Sequence, residues 1–263
     1  MALNDTQLER YSRHILLKEI GGPGQRKLLD ARVLLVGAGA LASPCLLYLA
    51  AAGVGTIGIV DDDIVSLSNL QRQIAYGMED LGAPKVERAA RAAARINPDV
   101  KIVPHPFRLT QDNARDLVAR YDLVADGCDN FETRFIVNDA CHFEKVTLVS
   151  AAVGRFDGQL ATFKSHLNDE NGVPLPNYRD LVPEMPEPGS IPTCEEAGVV
   201  GALTGVMGSL QALEVIKELT GAGESLAGSL LIYDALETRF RKIRLRHDPA
   251  NPLTGRPPVS MAR

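Results

Sequence analysis

Arg32-Val-Leu-Leu-Val-Gly-Ala-Gly-Ala-Leu-Ala-Ser43 is the stretch that decides how the rest of the chain is read. An apolar run enters Gly37, and residues 41–52 are rich in Ala and Leu, which together predict strand, tight turn and helix. Gly37-x-Gly39-x-x-Ala42 is the tolerant form of a phosphate-binding fingerprint. Its glycines permit a sharp turn and close approach of a phosphate, and the helix N-terminus offers unpaired N–H groups and a favourable dipole.

Outward from this turn, residues 56–60 form a second apolar strand ending in Asp61-Asp62-Asp63, and residues 84–96 a long Ala/Arg helix with Pro84 near its start. Residues 101–103, 123–125 and 146–150 continue as buried strands, separated by helical patterns at 112–119 and 131–143. This alternation predicts an α/β fold with a Rossmann-like, doubly wound, mostly parallel sheet. From Gly158 the pattern changes to a strand at 159–163, a proline-rich loop at 174–192, one long helix at 197–219, and two strands near 230–233 and 240–245. That half reads as an antiparallel C-terminal extension shaping a binding face.

One domain over residues 1–263 accounts for the chain. It comprises an N-terminal helical arm (1–30), a nucleotide-binding half (31–151), a partner-binding half (152–248) and a mobile Pro/Arg tail (249–263). In the arm, Leu8, Tyr11, Ile15 and Leu16 recur at helical spacing over residues 5–20, and Gly21-Gly22-Pro23-Gly24 is expected to end that helix.

Bulk composition narrows the partners. Of the 263 residues 45% are hydrophobic and 23% charged, enough to bury a core, and the net charge of -5 argues against a nucleic-acid partner. The N-terminus lacks a basic start followed by an apolar run, so a cytoplasmic protein is expected. The weakly polar stretch 197–213 is interrupted by Thr204, Ser209 and Gln211 and reads as a core helix rather than a membrane span, with Gly201 and Gly205 able to admit a close neighbour. Cys45, Cys128, Cys141 and Cys194 include no Cys-x-x-Cys pair, and the five histidines, His14, His105, His142, His166 and His247, show no metal spacing and receive no role.

Asp61 ends the strand after the glycine turn, where a carboxylate accepts ribose hydroxyls. These features do not choose between NAD and ATP. The next cluster does: Asn69-Leu-Gln71-Arg72-Gln73, Lys85 at the following helix start, and Asp129-Asn130 beyond the strand at 123–126. Two cations at the carboxyl ends of strands suit a triphosphate, and a carboxylate opposite them suits Mg²⁺, which shares oxygen ligands with phosphate.

These residues resemble those of the molybdopterin-synthase adenylyltransferases and thiamine-pathway ThiF enzymes, relatives of ubiquitin-activating enzymes. The resemblance spans nearly the whole chain. It runs through Arg10-Tyr-Ser-Arg13, the glycine turn, Asp61, Ser66-Leu-Ser-Asn69-Leu-Gln-Arg72-Gln73, Pro84-Lys85, Asp129-Asn130 and Thr193-Cys194-Glu-Glu-Ala-Gly198. It implies attack on the α-phosphate of ATP by the C-terminal glycine carboxylate of a small ubiquitin-like sulfur carrier, giving an acyl adenylate and pyrophosphate, most plausibly for molybdopterin synthase. It assigns the turn (Gly37, Gly39, Ala40) and Asp61 to the nucleotide, Asn69, Arg72 and Lys85 to phosphates, and Asp129 to Mg²⁺. Arg13 matches the arginine that reaches a neighbouring subunit's ATP, implying a homodimer with composite sites.

Three features depart from or qualify the resemblance. Ala40 and Ala42 stand where the family has its third and fourth turn glycines; a positive φ at Ala40, at about 1–2 kcal/mol of strain, or a phosphate against its Cα would weaken ATP binding. Many relatives carry two Cys-x-x-Cys pairs for zinc, whereas the nearest positions here are Asn177-x-x-Asp180 and Asn251-x-x-Thr254, so no structural zinc is implied. Thr193 and Glu196 have capping-box spacing that would set Cys194 in the first turn of the helix at 197–219, with Glu195 and Glu196 opposing a thiolate. A structural thiol is the preferred reading of Cys194, with sulfur transfer the alternative.

No rhodanese-like sequence follows, so sulfur is expected from another protein. The rival substrate is the thiamine-pathway carrier. A nucleotide-binding scaffold without turnover is a rival of another class, and an NAD-dependent dehydrogenase a distant one, because no hydride-site arrangement of His/Asp or Tyr/Lys can be placed.

Overall fold

A computed structural model describes residues 3–187 and 198–255. Its centre is one eight-stranded sheet in the order β3-β2-β1-β4-β5-β6-β7-β8. Strands β1 (Arg32–Val36), β2 (Thr56–Val60), β3 (Lys101–His105), β4 (Leu123–Asp126) and β5 (Thr147–Val153) run parallel. Then β6 (Asp157–Phe163), β7 (Ser229–Asp234) and β8 (Arg239–Arg244) add on as an antiparallel meander. The expected α/β fold with its antiparallel extension is therefore observed.

Val33 to Val36 are all essentially buried because helices cover both faces of β1, which explains why the strand reads as a continuous apolar run. On one face pack α4 (Ala42–Ala52), α5 (Lys85–Ile96) and the long α9 (Gly201–Thr220); on the other pack α6 (Gln111–Val118), α7 (Phe131–Glu144) and the short α8 (Tyr178–Leu181). The strand order reverses between β1 and β4, and their carboxyl ends open the crevice where ligands bind in such sheets. No described helix is long and apolar enough to cross a membrane.

Three expectations are corrected. The arm is three helices, not one: α1 (Asp5–Arg10), α2 (Ser12–Ile15) and α3 (Gly21–Asp30). Gly21-Gly22-Pro23-Gly24 begins α3 instead of ending a helix, because Gly21 turns the chain at φ +58° and Pro23 sits in a first turn that needs no N–H. The long helix starts at Gly201 after non-helical residues 198–200, so a capping box at Thr193 and Glu196 does not open it. Of residues 249–263, those up to Gly255 are described; the chain there is hydrogen-bonded through Asn251 and Gly255, with Asn251 buried.

Close packing in α9 falls on Gly201, as expected, and on Gly208 in place of Gly205. A side chain at Gly201 would strike the Gln71 carbonyl and one at Gly208 the Leu41 carbonyl, whereas Gly205 faces open space. The helix thereby seats both the segment before Gln73 and the start of α4.

Candidate active site

The glycine turn is knit into both neighbouring strands. Gly37 N–H donates to the Val60 carbonyl at 2.9 Å, and Gly127 N–H to the Val36 carbonyl at 3.1 Å. Gly37 has φ +88°, a conformation that disfavours any other residue. Ala40 does not: among the described residues only Lys145 and Thr238 combine a side chain with positive φ. Backbone strain at Ala40 is thus removed as a cause of weak nucleotide binding. A methyl built on Gly39 would meet nothing closer than Gln73 Nε2 at 3.9 Å, so the fold alone does not require glycine there.

Ala38, between the two glycines, is fixed on both sides. Its N–H donates to Asp61 Oδ2 at 2.7 Å, and its carbonyl accepts from the buried Tyr76 hydroxyl at 2.6 Å. Asp61 Oδ1 also accepts the Asp63 N–H at 2.8 Å. Burial raises the Asp61 carboxyl above its ordinary range, against the opposing pull of the Ala38 N–H and of Lys85.

The remaining candidate residues lie in the segments that follow β2 and β4. Lys85 opens α5, is buried, and gives its Nζ to Asp63 Oδ2 at 2.7 Å. Because the Asp63 side chain is 65% exposed, that ion pair is weak and open to competition from a triphosphate. Asn69 is buried with Oδ1 accepting the Ser66 N–H at 3.2 Å, which leaves its amide donors as the group suited to an anion. Arg72 is braced through Nη1 on the Ser68 carbonyl at 2.9 Å. Gln73 is buried with Oε1 lacking a protein partner. Asp129 is exposed on the turn after β4, next to Asn130, which caps α7 by accepting the Thr133 N–H at 2.9 Å.

The ThiF family profile matches residues 11–253. This chain belongs to the ThiF family. It is 48% identical over 251 residues to "Probable adenylyltransferase/sulfurtransferase MoeZ" of Mycobacterium tuberculosis, covering 95% of this chain and 63% of that protein. It is 47% identical over 253 residues to "Sulfur carrier protein adenylyltransferase" of Thermus thermophilus, covering 96% and 93%. The chain thus spans a little under two thirds of MoeZ. Among solved structures, E. coli MccB superposes with a TM-score of 0.80 at 19% identity, covering 100% of this chain and 76% of that one, a likeness of ThiF fold.

Two residues of this ThiF chain that sequence reasoning did not assign shape the site. Tyr76 is one. Arg134 is the other: buried on α7, it bonds Asp126 Oδ2 at 3.1 Å, Ser150 Oγ at 3.0 Å, and the carbonyls of Cys128 at 2.5 Å and Ala151 at 2.8 Å. It therefore fixes the backbone immediately before Asp129. Removing one partner of such a buried pair costs about 3–5 kcal/mol. An arginine within the helix that follows a strand, eight residues after the strand-ending Asp126, was the available signal.

Arg13 is not brought to this cluster. Two residues before it, Tyr11 is buried, its hydroxyl accepting from Asn97 Nδ2 at 2.8 Å and lying against Gly53, the residue that ends α4. Since α4 starts at the glycine turn and its eleven residues span roughly 16 Å, the anchor of Arg13 sits at the far end of the sheet from its own turn. Arg13 itself is exposed on α2.

Cys194 lies outside the described residues. Cys45, Cys128 and Cys141 are buried free thiols, each pushed upward in pKa by burial, as inert core positions should be. Cys128 packs beneath the turn with Sγ 3.6 Å from the Asn130 carbonyl. In the one group of three close acidic side chains among the described residues, Asp61 to Asp63, Asp61 is engaged with the Ala38 and Asp63 N–H groups and Asp63 with Lys85, while Asp62 is exposed.

Proposed function

We propose that this chain is an adenylyltransferase that uses ATP and Mg²⁺ to activate the C-terminal glycine carboxylate of a small ubiquitin-like sulfur carrier, serving molybdopterin synthase. The observation that carries the reading is the glycine turn, anchored through Ala38 to Asp61 and Tyr76, with Lys85 paired to Asp63 just beyond Asp61; Asn69, Arg72 and Asp129, in the segments that follow β2 and β4, would complete the site. Relatives named as adenylyltransferases support it.

In the reaction a carboxylate oxygen of the carrier attacks the α-phosphorus, the bond to the pyrophosphate oxygen breaks, and acyl adenylate and pyrophosphate result. Little proton transfer is involved, so the protein contributes positioning and charge neutralisation. Asp61 accepts the ribose hydroxyls while holding the turn. Arg72 and Lys85 balance the phosphates, and the Asn69 amide donates to them. Asp129, an exposed oxygen donor on the turn after β4, has the chemistry to hold Mg²⁺, which when bound would screen the triphosphate charge.

Arg13, remote from its own turn, supplies the site of a second copy, so the active unit is a homodimer with composite sites. Exposed Leu8, Leu16 and Leu17 on the arm, and Ile64, Leu67, Ile74 and Met78 between β2 and α5, give that dimer apolar surface. The unstrained Ala40 weakens the case for a scaffold without turnover. Incubation with ATP labelled at the α-phosphate and each candidate carrier tests the proposal: label should move to the molybdopterin-pathway carrier and should not move when its last glycine is deleted. Transfer only to the thiamine-pathway carrier would reassign the substrate; transfer to neither would refute adenylation.

A further inference from the structure

The four positions nearest to the zinc-binding cysteines of relatives converge here, but with different chemistry. Asn177 is fully buried and caps α8, its Oδ1 accepting the Arg179 N–H at 2.8 Å and Asn251 Nδ2 at 3.2 Å, while its Nδ2 faces Thr254 Oγ1 at 3.5 Å. The carboxylate of Asp180 joins the two segments. Its Oδ2 accepts the Asn177 N–H at 2.7 Å, and its Oδ1 accepts the Asp248 N–H at 2.7 Å and lies 3.5 Å from His247 Nδ1. Thr254 Oγ1 is 3.3 Å from the same ring nitrogen, and Asn251 Oδ1 accepts the Leu253 N–H at 2.9 Å. His247, which the sequence left without a role, is thus part of the cluster.

These groups do not fit zinc. A structural zinc takes thiolates and imidazoles in a closed tetrahedron. Here one carboxylate is the only anion, its oxygens are occupied by backbone N–H groups, and two amide Nδ2 donors point inward. We infer that Asn177, Asp180, Asn251, Thr254 and His247 form a metal-free hydrogen-bonded clasp that joins α8 to residues 247–255, and that this chain folds without zinc. The clasp is rooted in the core through Asn138 Oδ1, which accepts the Tyr178 N–H at 2.8 Å, and through Asp139, which binds Arg179 at 2.8 and 2.6 Å. A satisfied buried polar network fastens segments as a metal would, at the cost of tolerating no missing member.

The test uses the full chain. Metal analysis of the purified protein should find well under one zinc per chain, and a zinc-selective chelator should leave its thermal midpoint unchanged. One tightly bound zinc per chain, or a midpoint lowered by the chelator, would overturn the inference. The quadruple variant Asn177→Cys, Asp180→Cys, Asn251→Cys, Thr254→Cys should gain about one zinc per chain, because the four positions already face one another. If it folds and takes up none, the convergence is wrong. Should it fail to fold, Asn251→Ala decides: amide exchange over residues 247–255 should quicken by about tenfold with the central strands unchanged, as loss of a buried hydrogen bond requires. Unchanged exchange there would also overturn the inference.

Discussion

The Tyr76 hydroxyl donates to the carbonyl of Ala38 at 2.6 Å, fixing the middle residue of the glycine turn from the side opposite Asp61. Tyr76 is buried, so Tyr76→Phe leaves a carbonyl without its partner, at a cost of about 1–3 kcal/mol. Urea denaturation should show that loss, and ATP affinity should fall as the turn loosens. Equal stability and equal affinity in the variant would show that the hydroxyl does not hold the turn.

Asp61 gives a pH dependence with a defined sign. Its carboxyl is raised by burial, so it protonates at a higher pH than an ordinary carboxylate. Nucleotide affinity should therefore begin to fall at a higher pH than an ordinary carboxylate would set, and comparison with Asp61→Asn cancels the titration of the nucleotide itself. Stability runs the other way. A raised acid pKa means the native state binds the proton more readily, so wild type should gain on Asp61→Asn as pH falls from the raised value into the usual carboxylate range. A difference independent of pH would contradict the burial of this group.

Ala40→Gly separates strain from ligand contact. Because Ala40 lies outside the left-handed region, glycine relieves nothing and should cost up to about 1 kcal/mol through chain entropy. Thermal unfolding tests this directly. A stabilised variant would mean the turn is strained after all, whereas tighter ATP binding without added stability would place the methyl against the phosphates.

The proposed composite site predicts complementation. Arg13→Ala and Arg72→Ala should each be nearly inactive as homodimers, yet a mixture re-equilibrated from monomers should recover about a quarter of wild-type activity, since half the dimers carry one intact site of two. No recovery, with subunit exchange verified, would place Arg13 in its own chain's site or outside catalysis.

Much of this architecture was legible because local signals agreed with the fold. Val33 to Val36 and Leu123 to Ala125 read as buried strands because helices cover them on both faces, and the Asp61 position follows from the strand that precedes it. What failed was either a local signal with two readings or a contact distant in sequence. Gly21 to Gly24 look like a terminator but begin α3, because Pro23 is harmless in a first turn. Tyr76 and Arg134 gain meaning only when Ala38, 38 residues before Tyr76, and Ser150, 16 residues after Arg134, become their partners. Asn177 and Asn251 looked merely like lost cysteines until 74 residues of chain brought them together.

Carrier-dependent exchange of pyrophosphate into ATP tests adenylation most directly, since it requires reversible formation of the acyl adenylate. With the wild-type chain, Mg²⁺ and a carrier ending in glycine, exchange should be rapid; it should fall by at least about a hundredfold in Lys85→Ala or Arg72→Ala, as loss of a transition-state charge partner implies. Absence of exchange with every candidate carrier, from protein that is folded and binds ATP, would contradict the account.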